Sequence, residues 1–247
     1  MDIANRTVLI VGGTSGIGLG LARRFASAGS AVVVGGRTTE HIDDVETVKI
    51  DIIEPDSIRR ARDQVLSTHP DLDVVVTMAG VMIPEDLRDP AHLADAETTI
   101  EINLLGTIRV VDAFLPHLMS RADGDIVTVT SGIGFMPFPL MPTYGASKAG
   151  VHSYTESLRA QLNGTGVRVT ELIPPAVANA GQEKLNPAAL PLDDFLDEVM
   201  SIFASNPETN EVVVRAAEGL RWAERDGTYP ELLQQRSRSL DTLPGRQ

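Results

Sequence analysis

The sequence predicts an α/β protein, a doubly wound and mostly parallel sheet with helices on both faces, forming a single domain over residues 1–247. Three observations predict it. Short runs rich in β-branched residues alternate with longer amphipathic stretches. The runs are too continuously apolar for a sheet with one wet face, as strands buried on both sides require. The 247 residues, 43% of them hydrophobic, supply enough apolar mass for one large core.

The elements follow in order. TVLIVGG (7–13) leads into a helical stretch from Gly16 to Ala28, and AVVVGG (31–36) and VETVKIDI (45–52) supply the next two strands. A helix from Pro55 to Thr68 precedes DVVVTMAG (73–80), and a long helix is expected from Ala94 to Met119. DIVTVTS (125–131), a helix from Tyr144 to Leu162 and GVRVTELIP (166–174) complete the alternation. From Ala176 to Leu192 the periodicity fades among Pro175, Pro187 and Pro191, so a long loop leads into a helix ending near Ala204. Loops of that length in a compact domain are more often functional than filler, so 176–204 is expected to form a substrate loop and helix. EVVV (211–214) reads as a last strand, GLRWAERDG (219–227) as a helix packed on the core, and 231–247 as a partly ordered, Arg-rich tail. Neither an internal repeat nor a low-complexity linker divides the chain.

Composition excludes several function classes. A net charge of −13 argues against nucleic acid and anionic membranes, both of which need a basic face. With no cysteine, disulfides and thiolate chemistry are out, and a metal site would have to come from His and carboxylates. His41, His69, His92, His117 and His152 show no metal spacing; they read as surface or helix-end residues, and no metal is expected. No run reaches the ~18 apolar residues that cross a bilayer. The amino end lacks a basic, long-cored leader, so a cytoplasmic protein is expected.

Chemistry enters at the first turn. VGGTSGIGLG (11–20) sets Gly12, Gly16 and Gly18 between a strand and a helix, where a dinucleotide fold needs a tight turn, close backbone approach to a pyrophosphate and tight helix packing. The helix N-terminus then offers a positive pole to an anionic ligand despite the acidic chain. Further on, YGASK (144–148) places Tyr144 four residues before Lys148, one of only 3 lysines against 18 arginines. On a helix these share a face, and an ammonium beside a phenol lowers the phenol's pKa.

The G-x-x-x-G-x-G turn, Asn103 in EINLLG, Ser131 in TVTSG and the Tyr144–Lys148 pair together resemble the short-chain dehydrogenase/reductase family over residues 7 to about 179. The resemblance implies a Rossmann-type domain and a catalytic tetrad. Tyr144 would be the general acid or base, Ser131 would hydrogen-bond the carbonyl oxygen, Lys148 would lower the Tyr144 pKa and hold the nicotinamide ribose, and Asn103 would anchor a relay water. Two positioned O–H donors suit the charge that builds on a carbonyl oxygen. Cofactor contacts fall on Gly12, Thr14, Ser15, Gly16, Ile17 and Gly18 in the turn, on Arg37 and Thr38, on Asp51 and Ile52, on Ala79 and Gly80, on Tyr144 and Lys148, and on Pro174, Val177 and Asn179. The chain departs from the family where Val11 stands for Thr, Met78 for Asn, Pro175 for Gly and Asn179 for Thr.

The second strand ends in Gly36-Arg37, with no carboxylate to take the ribose 2′-OH that NAD users bind. Arg37, with Ser15 and Thr38, suits a 2′-phosphate, so NADP(H) is expected over NAD(H); a solvated loop charge is the competing reading. The reaction expected is hydride transfer between NADP(H) and a ketone, aldehyde or alcohol. A non-catalytic dinucleotide-binding regulator, or a dehydratase or epimerase of the same family, stays open. Phe135, Met136, Phe138, Leu140 and Met141 lead up to Tyr144 and suggest a neutral, hydrophobic substrate, with packing under the loop as the alternative. The resemblance also implies a homodimer or homotetramer formed through the helices near Ala94 and Tyr144.

Overall fold

Seven parallel strands make the central sheet of the computed structural model, which describes residues 1–40, 42–178 and 189–245. They are β1 (Thr7–Val11), β2 (Ala31–Gly36), β3 (Glu46–Lys49), β4 (Val74–Thr77), β5 (Gly124–Val129), β6 (Val167–Ile173) and, after a short pair β7 (Val177–Ala178) and β8 (Leu190–Pro191), β9 (Glu211–Val213). The order is β3-β2-β1-β4-β5-β6-β9, every neighbouring pair parallel. This is the doubly wound Rossmann arrangement read from the sequence. The chain runs outward from β1 to β3 and returns to β4 on the other side of β1. Such a reversal opens a crevice at the carboxyl ends of β1 and β4, where sheets of this kind bind ligands.

The helices are α1 (Gly16–Ser27), α2 (Pro55–Thr68), α3 (His92–Ile100), α4 (Gly106–Leu118), α5 (Pro142–Gln161), α6 (Leu192–Ser205), α7 (Arg215–Arg221) and α8 (Tyr229–Ser237). Strand alternation divides the core into two layers. Val8 and Ile10 of β1 join a cluster with Leu21 and Phe25 of α1 and Phe195, Val199 and Phe203 of α6. Leu9 and Val11 join the opposite cluster, with Ile58 of α2, Phe114 of α4 and Leu158 of α5. Phe25, Phe114, Phe195 and Phe203 are each at most 1% exposed; truncating one to Ala would cost about 3–5 kcal/mol. At the amino edge of the sheet, Arg6 ties β1 to its neighbours through Asp73 and Asp125, each at 2.9 Å.

Four expectations shift. Strand pairing stops short of each apolar run, because the run continues into the turns that leave the sheet: β1 ends at Val11 and β4 at Thr77. The single helix expected from Ala94 to Met119 is divided by a π-helical turn, Glu101–Leu105, between α3 and α4. Only Arg215–Arg221 is helical near 219–227, and residues 222–227 form turns. Along the expected tail, α8 is followed by a 3₁₀ turn, Arg238–Thr242. Arg236 anchors α8 by donating to the Pro137 carbonyl (3.1 Å) and lying 5.0 Å from the Phe138 ring.

Candidate active site

The glycine turn is built by backbone crowding. Gly12 has φ +89° and donates to the Gly35 carbonyl at 2.7 Å; a Cβ there would overlap the Ala79 backbone. Gly18 lies against the Gly12 carbonyl so closely that any side chain would force α1 off β1. The turn therefore presents bare backbone beside Ala79 and Gly80 at the crevice. Ser15, extended at φ −161° and exposed, places no side-chain cap on α1, and the first turn holds no acid. The N–H groups of Gly16, Ile17 and Gly18 thus keep the positive end of the helix available to an anion. Thr14 packs beside Gly36, and Ile17 is half-buried.

At the end of β2, Arg37 and Thr38 are exposed, and Arg37 makes no hydrogen bond or ion pair among the described residues. Asp51 closes the turn after β3, its Oδ1 accepting from Ile53 N at 3.1 Å and its own N–H donating to Ser57 Oγ at 2.9 Å. Ile52 is buried against Gly106. Pro174 is buried and accepts from Gly132 N at 2.9 Å, and Val177 pairs with Leu190 in the small sheet. Asn179, and most of the loop expected to cover the substrate, lie outside the described residues. A dinucleotide fits what is present: a cradle that only glycine allows, an uncapped helix N-terminus and a guanidinium unpartnered among the described residues.

Asn103, Ser131, Tyr144 and Lys148 come together beyond the carboxyl ends of β4 and β5. The π turn brings Asn103 inward, fully buried. Its Oδ1 accepts from Val81 N at 2.8 Å, and its Nδ2 donates to Val81 O at 2.9 Å and Ser147 Oγ at 3.1 Å. Ser147 Oγ in turn donates to the Tyr144 carbonyl at 2.7 Å, so Asn103 also steadies the first turns of α5. Gly80 sits beside both Asn103 and Lys148. Ser131, two residues beyond β5, accepts from Ile133 N at 3.3 Å and stands close enough to Tyr144 for its hydroxyl to act on the phenol.

The electrostatics differ from expectation. Burial pushes the Tyr144 phenol above its ordinary pKa, and the Ser131 hydrogen bond draws it part of the way back. The lowering expected from Lys148 is absent: its Nζ stands 5.8 Å from the Tyr144 ring centroid and donates to the Val129 carbonyl at 2.8 Å. Burial lowers Lys148 itself from 10.5 to about 8.

Several residues here escaped the sequence reading. His152, taken there as a surface or helix-end residue, lies mid-helix two turns beyond Tyr144, half-buried, with Nδ1 2.8 Å from Glu171 Oε2 and its ring edge-on to Phe135 at 4.6 Å. Glu171 holds its pKa above the ordinary histidine value. An acid inside the apolar β6 run was the available signal, since Glu is almost never fully buried unless paired. His152, Glu156, Glu171 and Glu211 place ligand atoms within 4.8 Å of one another. Arg159 pairs with Glu156 and Arg221 with Glu211, so these carboxylates already have cationic partners. Packing also claims three of the five apolar residues before Tyr144. Met136 is fully buried, Phe135 is covered by Arg221 at 4.3 Å, and Phe138 is covered by Arg236.

Comparison with known proteins agrees with this architecture. The chain belongs to the short chain dehydrogenase family, whose model matches residues 6–189. It is 34% identical over 193 residues to the uncharacterized oxidoreductase DltE of Bacillus subtilis, covering 74% of this chain and 76% of that one. It is 35% identical over 178 residues to sulfoacetaldehyde reductase 2 of Chromohalobacter salexigens, covering 68% and 71%. Among solved structures, a short chain dehydrogenase from Burkholderia cenocepacia in complex with NADP superposes with a TM-score of 0.82 at 25% identity, covering 94% of this chain and 99% of that one. No helix among the described residues is long and apolar enough to cross a membrane.

Proposed function

We propose that this oxidoreductase reduces a ketone or aldehyde, or oxidises the matching alcohol, with NADP(H) in preference to NAD(H). The observation that carries the reading is the convergence of Ser131 and Tyr144, whose side chains interact, beside Lys148 and Asn103 at the mouth of the crevice. When bound, the nicotinamide dinucleotide supplies or accepts the hydride. The chain's own residues orient the carbonyl and handle its proton. Ser131 Oγ donates to the substrate oxygen, and the Tyr144 hydroxyl donates to the same oxygen and surrenders its proton as charge builds there. A phenol raised by burial is a reservoir of that proton at neutral pH. Lys148, its Nζ bonded to the Val129 carbonyl beside the phenol, would hold the ribose hydroxyls as a compact cationic donor. Asn103, with both amide hydrogens taken by Val81 O and Ser147 Oγ, holds the start of α5 in place.

Residues Gly12 to Gly18 would hold the pyrophosphate, Asp51 and Ile52 the adenine, and Arg37 with Ser15 and Thr38 the 2′-phosphate. The solved relative in complex with NADP supports a nicotinamide dinucleotide as the ligand of this crevice. A neutral, hydrophobic substrate keeps support from Leu140 and Met141, both half-buried, and loses that of Phe135, Met136 and Phe138. Light-scattering mass should be that of a homodimer or homotetramer. The deciding experiment is a carbonyl panel with NADPH followed at the nicotinamide absorbance, spanning apolar ketones, aldehydes and small charged acids. Turnover of at least one member is expected. Tight NADPH binding with no turnover of any member would reject the enzyme in favour of a dinucleotide-binding regulator.

A further inference from the structure

Each of the two hydroxyl-bearing residues of the site follows a threonine: Thr130 precedes Ser131, and Thr143 precedes Tyr144. Each threonine hydroxyl donates to a carboxylate whose side chain has no solvent exposure. Thr130 Oγ1 reaches Glu171 Oε1 at 2.6 Å, and Thr143 Oγ1 reaches Glu85 Oε2 at 2.8 Å. Each carboxylate also meets a histidine, Glu171 with His152 Nδ1 at 2.8 Å and Glu85 with His92 Nδ1 at 3.2 Å. Glu85 Oε1 accepts from Thr143 N at 3.0 Å as well. That contact supplies what α5 lacks, for the helix has no side-chain cap of its own and no acid in its first turn. Glu85 comes from the segment after β4, and Glu171 from β6.

Burying a carboxylate costs several kcal/mol unless hydrogen bonds satisfy it. Here two are buried, each bonded to the residue just before a reactive hydroxyl. His152 extends the Tyr144–Lys148 face of α5 by one more turn, so the Glu171 contact ties the helix that carries Tyr144 to the strand end that carries Ser131. We propose that Glu171 and Glu85 are positioning residues, which through Thr130 and Thr143 hold the Ser131 and Tyr144 hydroxyls in register with each other and with a substrate oxygen. The proposal rests on the reductase reading above.

The test compares Thr130→Val and Thr143→Val, which keep the shape and lose the hydroxyl, with Thr130→Ser and Thr143→Ser, which keep the hydroxyl and lose a methyl. All four should lower the thermal midpoint, so stability does not separate them. The Val variants should lose about 10-fold in kcat with the cofactor Kd unchanged, and the Ser variants should stay within about 2-fold of wild type. Val variants with wild-type kcat, or Ser variants as slow as the Val variants, overturn the proposal. A second readout needs no substrate. With only 3 tyrosines, ring-labelled NMR resolves the Tyr144 titration. Thr130→Val should move it upward as the Ser131 bond slackens, and an unmoved titration also overturns the proposal. Failure of the wild type to turn over any carbonyl compound counts against the reductase reading alone, and the titration then decides the positioning role.

Discussion

The buried Lys148 ammonium donates to the Val129 carbonyl at 2.8 Å, linking α5 to the last residue of β5. One carbonyl replaces only part of the hydration an ammonium loses on burial, which is why its pKa falls to about 8. Between pH 8 and 10.5 the unfolded chain therefore binds more protons at this residue than the folded one, and stability rises with pH across that window. Below pH 8 the cost is constant, on the order of 3 kcal/mol. Lys148→Met should remove this pH-dependent component, so that the urea midpoint of the variant gains on wild type most at pH 7 and least at pH 10. A constant difference between the two proteins across that range would contradict the assignment.

Tyr144→Phe removes one hydroxyl and its bond to Ser131 while leaving the ring in place. Turnover should fall on the order of 10²-fold or more, as the loss of a general acid predicts, with NADPH affinity nearly unchanged. Lys148→Arg should fail too, because the buried site that holds a compact ammonium has no room for a wider planar fork. If Tyr144→Phe kept over half the wild-type rate, the proton would have to come from elsewhere.

Assembly has a candidate surface. Leu93 on α3 is 57% exposed and Leu105 in the π turn 38%, and Leu93, Ala96 and Ile100 line one shallow depression. Apolar side chains grouped on a helix face suit a partner helix of a second copy. Leu93→Arg and Leu105→Arg should lower the light-scattering mass at micromolar concentration to that of a monomer. A wild-type protein already monomeric there removes the prediction.

The sheet, its helices and the glycine turn were legible because their signals are local: β-branched runs, helical periods and a turn where a Cβ cannot fit. What the sequence concealed is set by partners distant along the chain. Asn103 was legible as a member of the family tetrad, but not the π turn it stands in, nor that its amide answers to Val81, 22 positions away. Thr143 is fixed by Glu85 across 58 positions, and Thr130 by Glu171 across 41. The Tyr144–Lys148 spacing correctly put both on one face of α5 but could not show that Lys148 would turn to a carbonyl rather than to the phenol.

Cofactor choice turns on Arg37. It follows β2, exposed and unpartnered among the described residues, and no carboxylate stands there to bind a ribose 2′-OH. A guanidinium can hold a 2′-phosphate through two charge-assisted bonds, and the acidic chain, at −13 overall, makes a local cation all the more necessary for that anion. If the pair contributes about 1.4 kcal/mol, NADPH should bind roughly 10-fold tighter than NADH. Arg37→Asp should erase that margin by weakening NADPH and sparing NADH, since the new carboxylate repels the phosphate and accepts from the free hydroxyl. Dissociation constants for both cofactors on both proteins provide the check. Equal losses for NADPH and NADH, or a wild-type preference for NADH, would show that Arg37 is a solvated loop charge and that the 2′ position is read elsewhere.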